Sequence, residues 1–193
     1  MKETRVIQWL GMICLLAGLS RMGMTPSSMI WGTDSIQELT FGITASILMS
    51  VGTIAIYMVQ AKETGIPGFV TVLAIILGNI ATTCMLWSLI QSAAPPAESE
   101  GIAVKILGLL MMVGLTGGTL AFTFLSYRAN IFPRWVIVLL VMMLLSMVLP
   151  VEDNKYMAFF WGLTYVGMGY AIWRGRLNPS KVLNEINHKT YKS

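Results

Sequence analysis

Long apolar runs alternate with short polar turns along the whole chain. The first run, residues 6–23, is close to the roughly 20 residues a membrane-spanning helix needs. It passes through Leu19-Ser20-Arg21 without a small-residue cleavage site, so it predicts a retained first helix and not a removed signal. Residues 24–34, with Pro26, Ser27, Ser28 and Trp31, read as a loop. Ser35-Ile36-Gln37-Glu38 has capping-box spacing and opens a second helix, 35–60. A polar turn at 61–67 holds Lys62 and Glu63 and leads into a third helix, 68–91. A Pro-Pro loop with Glu98 and Glu100 precedes a fourth helix that ends near 126. The stretch 127–135 carries Arg128, Arg134, Trp135 and a proline at a favoured first helical position, and reads as a hairpin turn. A fifth helix, an acidic turn at 151–155 and a sixth helix, 156–173, complete the pattern. The predicted fold is all-α: a polytopic membrane bundle of six transmembrane helices.

Composition names the solvent. Of 193 residues, 55% are hydrophobic and only 11% charged, with a mean hydropathy of +0.71. Soluble domains carry about 25% charged residues, and a chain this short cannot hide so much apolar surface in one aqueous core. One transmembrane domain, 1–176, accounts for nearly the whole chain. A basic tail, 177–193, follows. Either it forms a short helix on the inner leaflet, with Val182, Leu183 and Ile186 on one side, or it is a frayed, solvated end.

Charge sets the orientation. Of the 13 Lys and Arg residues, all but Arg21, Lys105 and Lys155 fall on the side shared by the two termini, while most acids fall opposite. The positive-inside rule then places both termini in the cytoplasm. The net charge of +4 arises from this bias and does not indicate nucleic-acid binding.

The helices are not uniformly greasy. On helix 2, Gly42, Ser46, Ser50, Thr53, Tyr57 and Gln60 recur at spacings of three and four, one helical face. On helix 4 the matching face is Gly108, Met112, Thr116, Thr119, Thr123 and Ser126, with Gly114-x-x-x-Gly118 as a small-residue pair. Helix 3 adds Ala74, Gly78 and Thr82, with Asn79 and Thr83 alongside; helix 5 is Val/Leu/Met almost all round and is expected to face lipid on most sides. At a shift of 66 residues, Lys62 meets Arg128, Pro67 meets Pro133, Thr53 meets Thr119 and Gly52 meets Gly118. Hairpins 2–3 and 4–5 read either as parallel copies, as in some transporters, or as hairpins of like composition.

Candidate chemistry is sparse. Arg21 shares a stripe with Gly11, Cys14, Gly18 and Thr25, and Lys105 shares one with Gly101 and Gly108. Both cations are expected at similar depth near the outer ends of their helices. There they either receive an anionic group or snorkel outward to Asp34, Glu38 or Glu100. The predicted ligand-binding set is Arg21, Lys105, Asn79, Thr116, Thr119 and Tyr57. Met22, Met24 and Met29 beside Trp31 offer thioethers of the kind that suit Cu(I), against a background of 15 methionines that fill space. Cys14 and Cys84 lie within apolar runs, and His188 is in the tail. No inward carboxylate pair, H-E-x-x-H, G-x-S-x-G or phosphate-cradling loop appears, so neither an enzyme nor a cofactor is expected.

Two stretches, IYMVQAKETGIPGFVTVLAIILG and LSYRANIFPRWVIVLL, carry Gln60-Ala61-x-x-Thr64-Gly65 and Arg128-x-x-x-x-Pro133-Arg134-Trp135. Here the chain resembles small bacterial integral-membrane proteins grouped as domains of unknown function. The resemblance covers the middle four helices and implies a bacterial cytoplasmic membrane protein, with no activity or catalytic residue attached. Two functional expectations result. One is non-enzymatic binding or passage of a small anionic or amphipathic molecule through a polar, outward-opening cavity. The other is an accessory subunit, or a homo-oligomer, whose basic inner surface docks a protein partner or anionic lipid.

Overall fold

The computed structural model describes residues 2–91, 101–148 and 155–177, and every regular element among them is helical. The expected Pro-Pro loop, most of the acidic turn and nearly all of the basic tail lie outside the described residues. In order the elements are α1 (Lys2–Trp31), α2 (Ile36–Gln91), α3 (Ile102–Met111), a π-helical turn (Met112–Gly117), α4 (Gly118–Ala129), α5 (Arg134–Val148) and α6 (Lys155–Trp173). Three helices are long and apolar enough to cross a membrane: Arg5–Trp31, Ile36–Gln91 and the continuous rod Ile102–Ala129. Arg134–Met147 is a shorter apolar helix.

At 1.5 Å per residue a straight α2 would be about 84 Å long, more than twice the hydrocarbon core of a bilayer. It is not straight. Gly65, at φ 53° and ψ −142°, breaks the helical path, and Pro67 follows, which cannot donate a backbone hydrogen bond. The two arms, 36–64 and 66–91, fold back on each other. A Cβ on Gly42 would meet Leu86 Cδ1 at 2.8 Å, and the Tyr57 and Phe69 rings lie 5.8 Å apart. The predicted seven-residue turn is thus one glycine with helix on either side.

α1 is the spine. It packs chiefly between α6 and α2, at near backbone contact. A Cβ on Gly52 would sit 2.8 Å from Cys14 Cα, and one on Gly169 would sit 2.5 Å from Leu15 N. Gly18 and Gly162 face each other so closely that each would drive a Cβ onto the other's carbonyl. Glycines at such crossings let helix backbones touch, which gains dispersion contact where lipid offers no hydrophobic drive. The second arm of α2 makes the same kind of seam with the rod. Gly78 abuts Gly114 and Leu115, and Gly118 abuts Ile75, so the small-residue pair 114/118 lies at an interface as expected. Successive helices run antiparallel throughout these contacts.

Three expectations need correction. First, residues 24–31 are helix, not loop. Thr25, Ser27 and Ser28 are buried, Met24 packs at Gly42, and the helix ends only where Gly32, at φ 91°, donates its N–H to Ser28 O at 3.0 Å. Tertiary contact holds the last two turns together in spite of Pro26. Second, α5 does not merely face lipid. Val136, Leu140 and Met143 are fully buried along one stripe, and only the opposite side is bare. Third, the helix 4 stripe splits. Thr119, Thr123 and Ser126 are buried, whereas Gly108, Met112 and Thr116 are exposed. Met112 and Thr116 lie within the π-turn, which closes i→i+5 hydrogen bonds and takes up an extra residue, so three-and-four spacing no longer keeps one face through it. Half of the capping box forms: Ser35 Oγ accepts from Glu38 N–H at 3.4 Å, while the Glu38 carboxylate accepts from Asp34 N–H, one residue before the cap, at 2.9 Å.

Candidate functional site

The stripe on the first arm of α2 folds inward as its spacing predicts. Gly42, Ser46, Thr53 and Gln60 are buried, with Ser50 and Tyr57 half-buried. Its hydroxyls are partly satisfied within the helix: Thr53 donates to Met49 O at 2.7 Å and Ser50 to Ser46 O at 2.9 Å. Thr53 Oγ1 also lies 3.0 Å from Tyr165 OH. A threonine hydroxyl has one proton, and the bond to Met49 uses it, so Tyr165 is the donor of this pair. Near the other end of the arm, Ser126 donates to Gln60 Oε1 at 3.1 Å. These two residues are 66 apart, the shift of the sequence repeat, and Thr53 and Thr119, also matched, line one cavity.

That cavity is small and closed. About 10 Å³, one water's worth, is enclosed by Thr53, Thr119 and Tyr165 on its polar side and by Ile56, Ile75, Phe122, Leu140, Met143 and Met168. Arg21 and Lys105 do not line it.

Towards the C-terminal end of α1 the interior becomes more polar and less satisfied. Arg21 is 9% exposed, and its guanidinium carbon stacks over the Trp161 ring at 5.5 Å. Its Nε has no hydrogen-bond partner. Tyr165 and Glu38 are its electrostatic neighbours. Asn79, 3% exposed, faces the same Tyr165 hydroxyl from the second arm of α2, and its Nδ2 has no partner either. Ser46 Oγ and Ser28 Oγ are likewise buried and unpartnered. Behind this cluster Cys14 donates its thiol to Tyr165 O at 3.5 Å, which fixes α6 against α1. Arg21 is 16 residues along α1 from Arg5, about 24 Å at 1.5 Å per residue.

Of the six residues predicted to bind ligand, Arg21 and Asn79 are both neighbours of Tyr165, and Thr119 lines the cavity. Tyr57 packs on Phe69 near the Gly65 bend instead. Lys105 and Thr116 are on the exposed outer face of the rod and do not join the cluster. Met22 packs on Gly162 and Met24 on Gly42 while Met29 is exposed, so the three thioethers do not converge. The residues that sequence reasoning missed are Trp161 and Tyr165. Their signal was legible: Gly162 and Gly169, seven apart, mark a close-packed face of α6, and Tyr165 lies on it.

In chemical terms the cluster is a set of unspent donors around one cation in a low-dielectric interior. An unpartnered buried N–H costs about 1–3 kcal/mol, more when charged, and polar groups within a membrane mark functional positions by default. Comparison of the chain with protein-family models, curated proteins and solved structures finds no match.

Proposed function

We propose that the chain is a six-span protein of a bacterial cytoplasmic membrane, with both termini inside, that binds a small anionic or amphipathic molecule at Arg21. The six crossings are α1, the two arms of α2, the rod 102–129, α5 and α6. Their antiparallel order gathers Lys62, Arg128, Arg134, Arg174 and Arg176 at one end, which the positive-inside rule assigns to the cytoplasm.

One observation carries the ligand reading: a nine-tenths buried arginine whose Nε is unpartnered and a buried asparagine whose Nδ2 is unpartnered, both neighbours of one tyrosine. A carboxylate or phosphate oxygen satisfies both donors and neutralises the cation. The closed interior below favours binding over passage, and the role is non-enzymatic.

The test is thermal unfolding of purified protein in neutral detergent with acetate, octanoate, inorganic phosphate and octyl phosphate as probes. At least one should raise the midpoint of wild type and of Lys105→Met but not of Arg21→Met. A shift retained in Arg21→Met, or none with any of the four, refutes the site.

A further inference from the structure

At the bundle end opposite Arg21, α4 and α5 join through a tight reversal. Asn130, at φ 52°, ends α4 by donating its N–H to Ser126 O at 3.1 Å, and α5 starts at Arg134. The reversal leaves an open cleft of about 540 Å³ lined by Tyr127, Arg128, Asn130, Arg134, Ile137 and Val138. Two of the six lining residues are cationic and none is acidic. Both guanidinium groups are exposed, and neither forms an ion pair among the described residues.

The lining is graded along α5. Arg134 is at the helix start, and Ile137 and Val138 lie one turn further into the apolar stretch. Tyr127 and Trp135 are exposed at the level of the arginines, and aromatic residues of this kind settle among lipid headgroups. A cationic mouth over an aliphatic floor, at headgroup height, matches a molecule with a phosphate at one end and an acyl chain at the other. A free phosphate would meet only two solvated arginines and would leave the aliphatic floor unused, and salt would screen it strongly.

We propose that this cleft binds an anionic phospholipid, its phosphate gripped between Arg128 and Arg134 and one acyl chain lying along Ile137 and Val138. Arginine suits the role because its planar fork bonds two phosphate oxygens at once. The site is independent of the Arg21 cluster. On the topology proposed above, the lipid comes from the cytoplasmic leaflet.

The experiment is native mass spectrometry of detergent-purified protein given phosphatidylglycerol or phosphatidylcholine of identical acyl chains. Wild type should retain one phosphatidylglycerol at least tenfold better than phosphatidylcholine. Arg128→Gln/Arg134→Gln should abolish that preference, and Lys105→Met, at an exposed cation outside the cleft, should keep it. Glycerol 3-phosphate, the headgroup without chains, should not compete. Equal retention of both lipids by wild type, an undiminished preference in the double variant, or competition by glycerol 3-phosphate each overturns the proposal. Should the double variant unfold, Val138→Trp, which fills the floor and keeps both charges, must lower phosphatidylglycerol retention; unchanged retention there also overturns it.

Discussion

The C-terminal half of α1 and the N-terminal half of the rod look alike on paper and behave oppositely in the fold. Each has a cation, glycines and hydroxyls at helical spacing. In α1, Gly18 is pressed on Gly162, Arg21 is nine-tenths buried, and Thr25 and Ser28 are inside. In the rod, Gly101 and Gly108 have nothing within 4 Å of a Cβ, Lys105 and Thr116 are exposed, and α3 buries no residue at all. The difference is one of neighbours. α1 is clamped by α2 and α6 on two sides, whereas α3 leans on α2 alone. Polar or small residues thus point inward only where two partner helices close over them.

The sharpest way to break this contrast is steric. Gly18→Leu must push its side chain into the backbone of α6, where even a Cβ would come within 2.6 Å of Val166 N. Backbone cannot swing aside as a side-chain tip can, so the helices must part. The expected loss is about 3 kcal/mol or more, at the top of the overpacking range. Gly108→Leu meets open space and should be neutral or slightly stabilising, since leucine is the better helix former. Unfolding in graded SDS measures both; comparable losses would show the two halves to be equally packed.

Next in size is the effect of the cations. Burial of the Arg21 guanidinium costs desolvation energy that its electrostatic neighbours Tyr165 and Glu38 offset only in part. Without ligand, Arg21→Met should therefore raise the thermal midpoint, while Lys105→Met should leave it unchanged. A fall in midpoint for Arg21→Met would mean that the guanidinium is already compensated in the empty protein. The anion reading would then lose its physical motive.

Which parts were legible follows from the same contrast. The cap at Ser35 and the inward stripe on the first arm were readable because they sit in undistorted α-helix. Gly42, Ser46, Thr53 and Gln60 keep one face with no help from context. The rod was not, because no local signal marks a π-turn, and one extra residue turns Thr116 away from Thr119. The extension of α1 was missed because Pro26 and two serines resemble loop, while the deciding contacts come from α2 and α6. The buried donors were half legible. Arg21 and Asn79 stood out by type, but Tyr165, the neighbour of both, becomes significant only once α6 is docked on α1.

The smallest effect tests the rod against itself, within the π-turn and beyond it. Ser126 is fully buried and donates to Gln60 Oε1, so Ser126→Ala removes that bond and leaves an amide oxygen unsatisfied in the bundle. Interhelical hydrogen bonds in membranes average about 0.6 kcal/mol and reach about 1.7; the orphaned acceptor puts this one at the upper end. Thr116→Val removes a hydroxyl from an exposed position, where it has little to lose. Ser126→Ala should therefore lower stability by about 1–1.5 kcal/mol, and Thr116→Val should not lower it. Adding Gln60→Leu to Ser126→Ala should restore part of the loss, because the stranded acceptor goes with it. If Thr116→Val proves the costlier change, this part of the rod has a partner across the bilayer, and its bare face is an interface between copies.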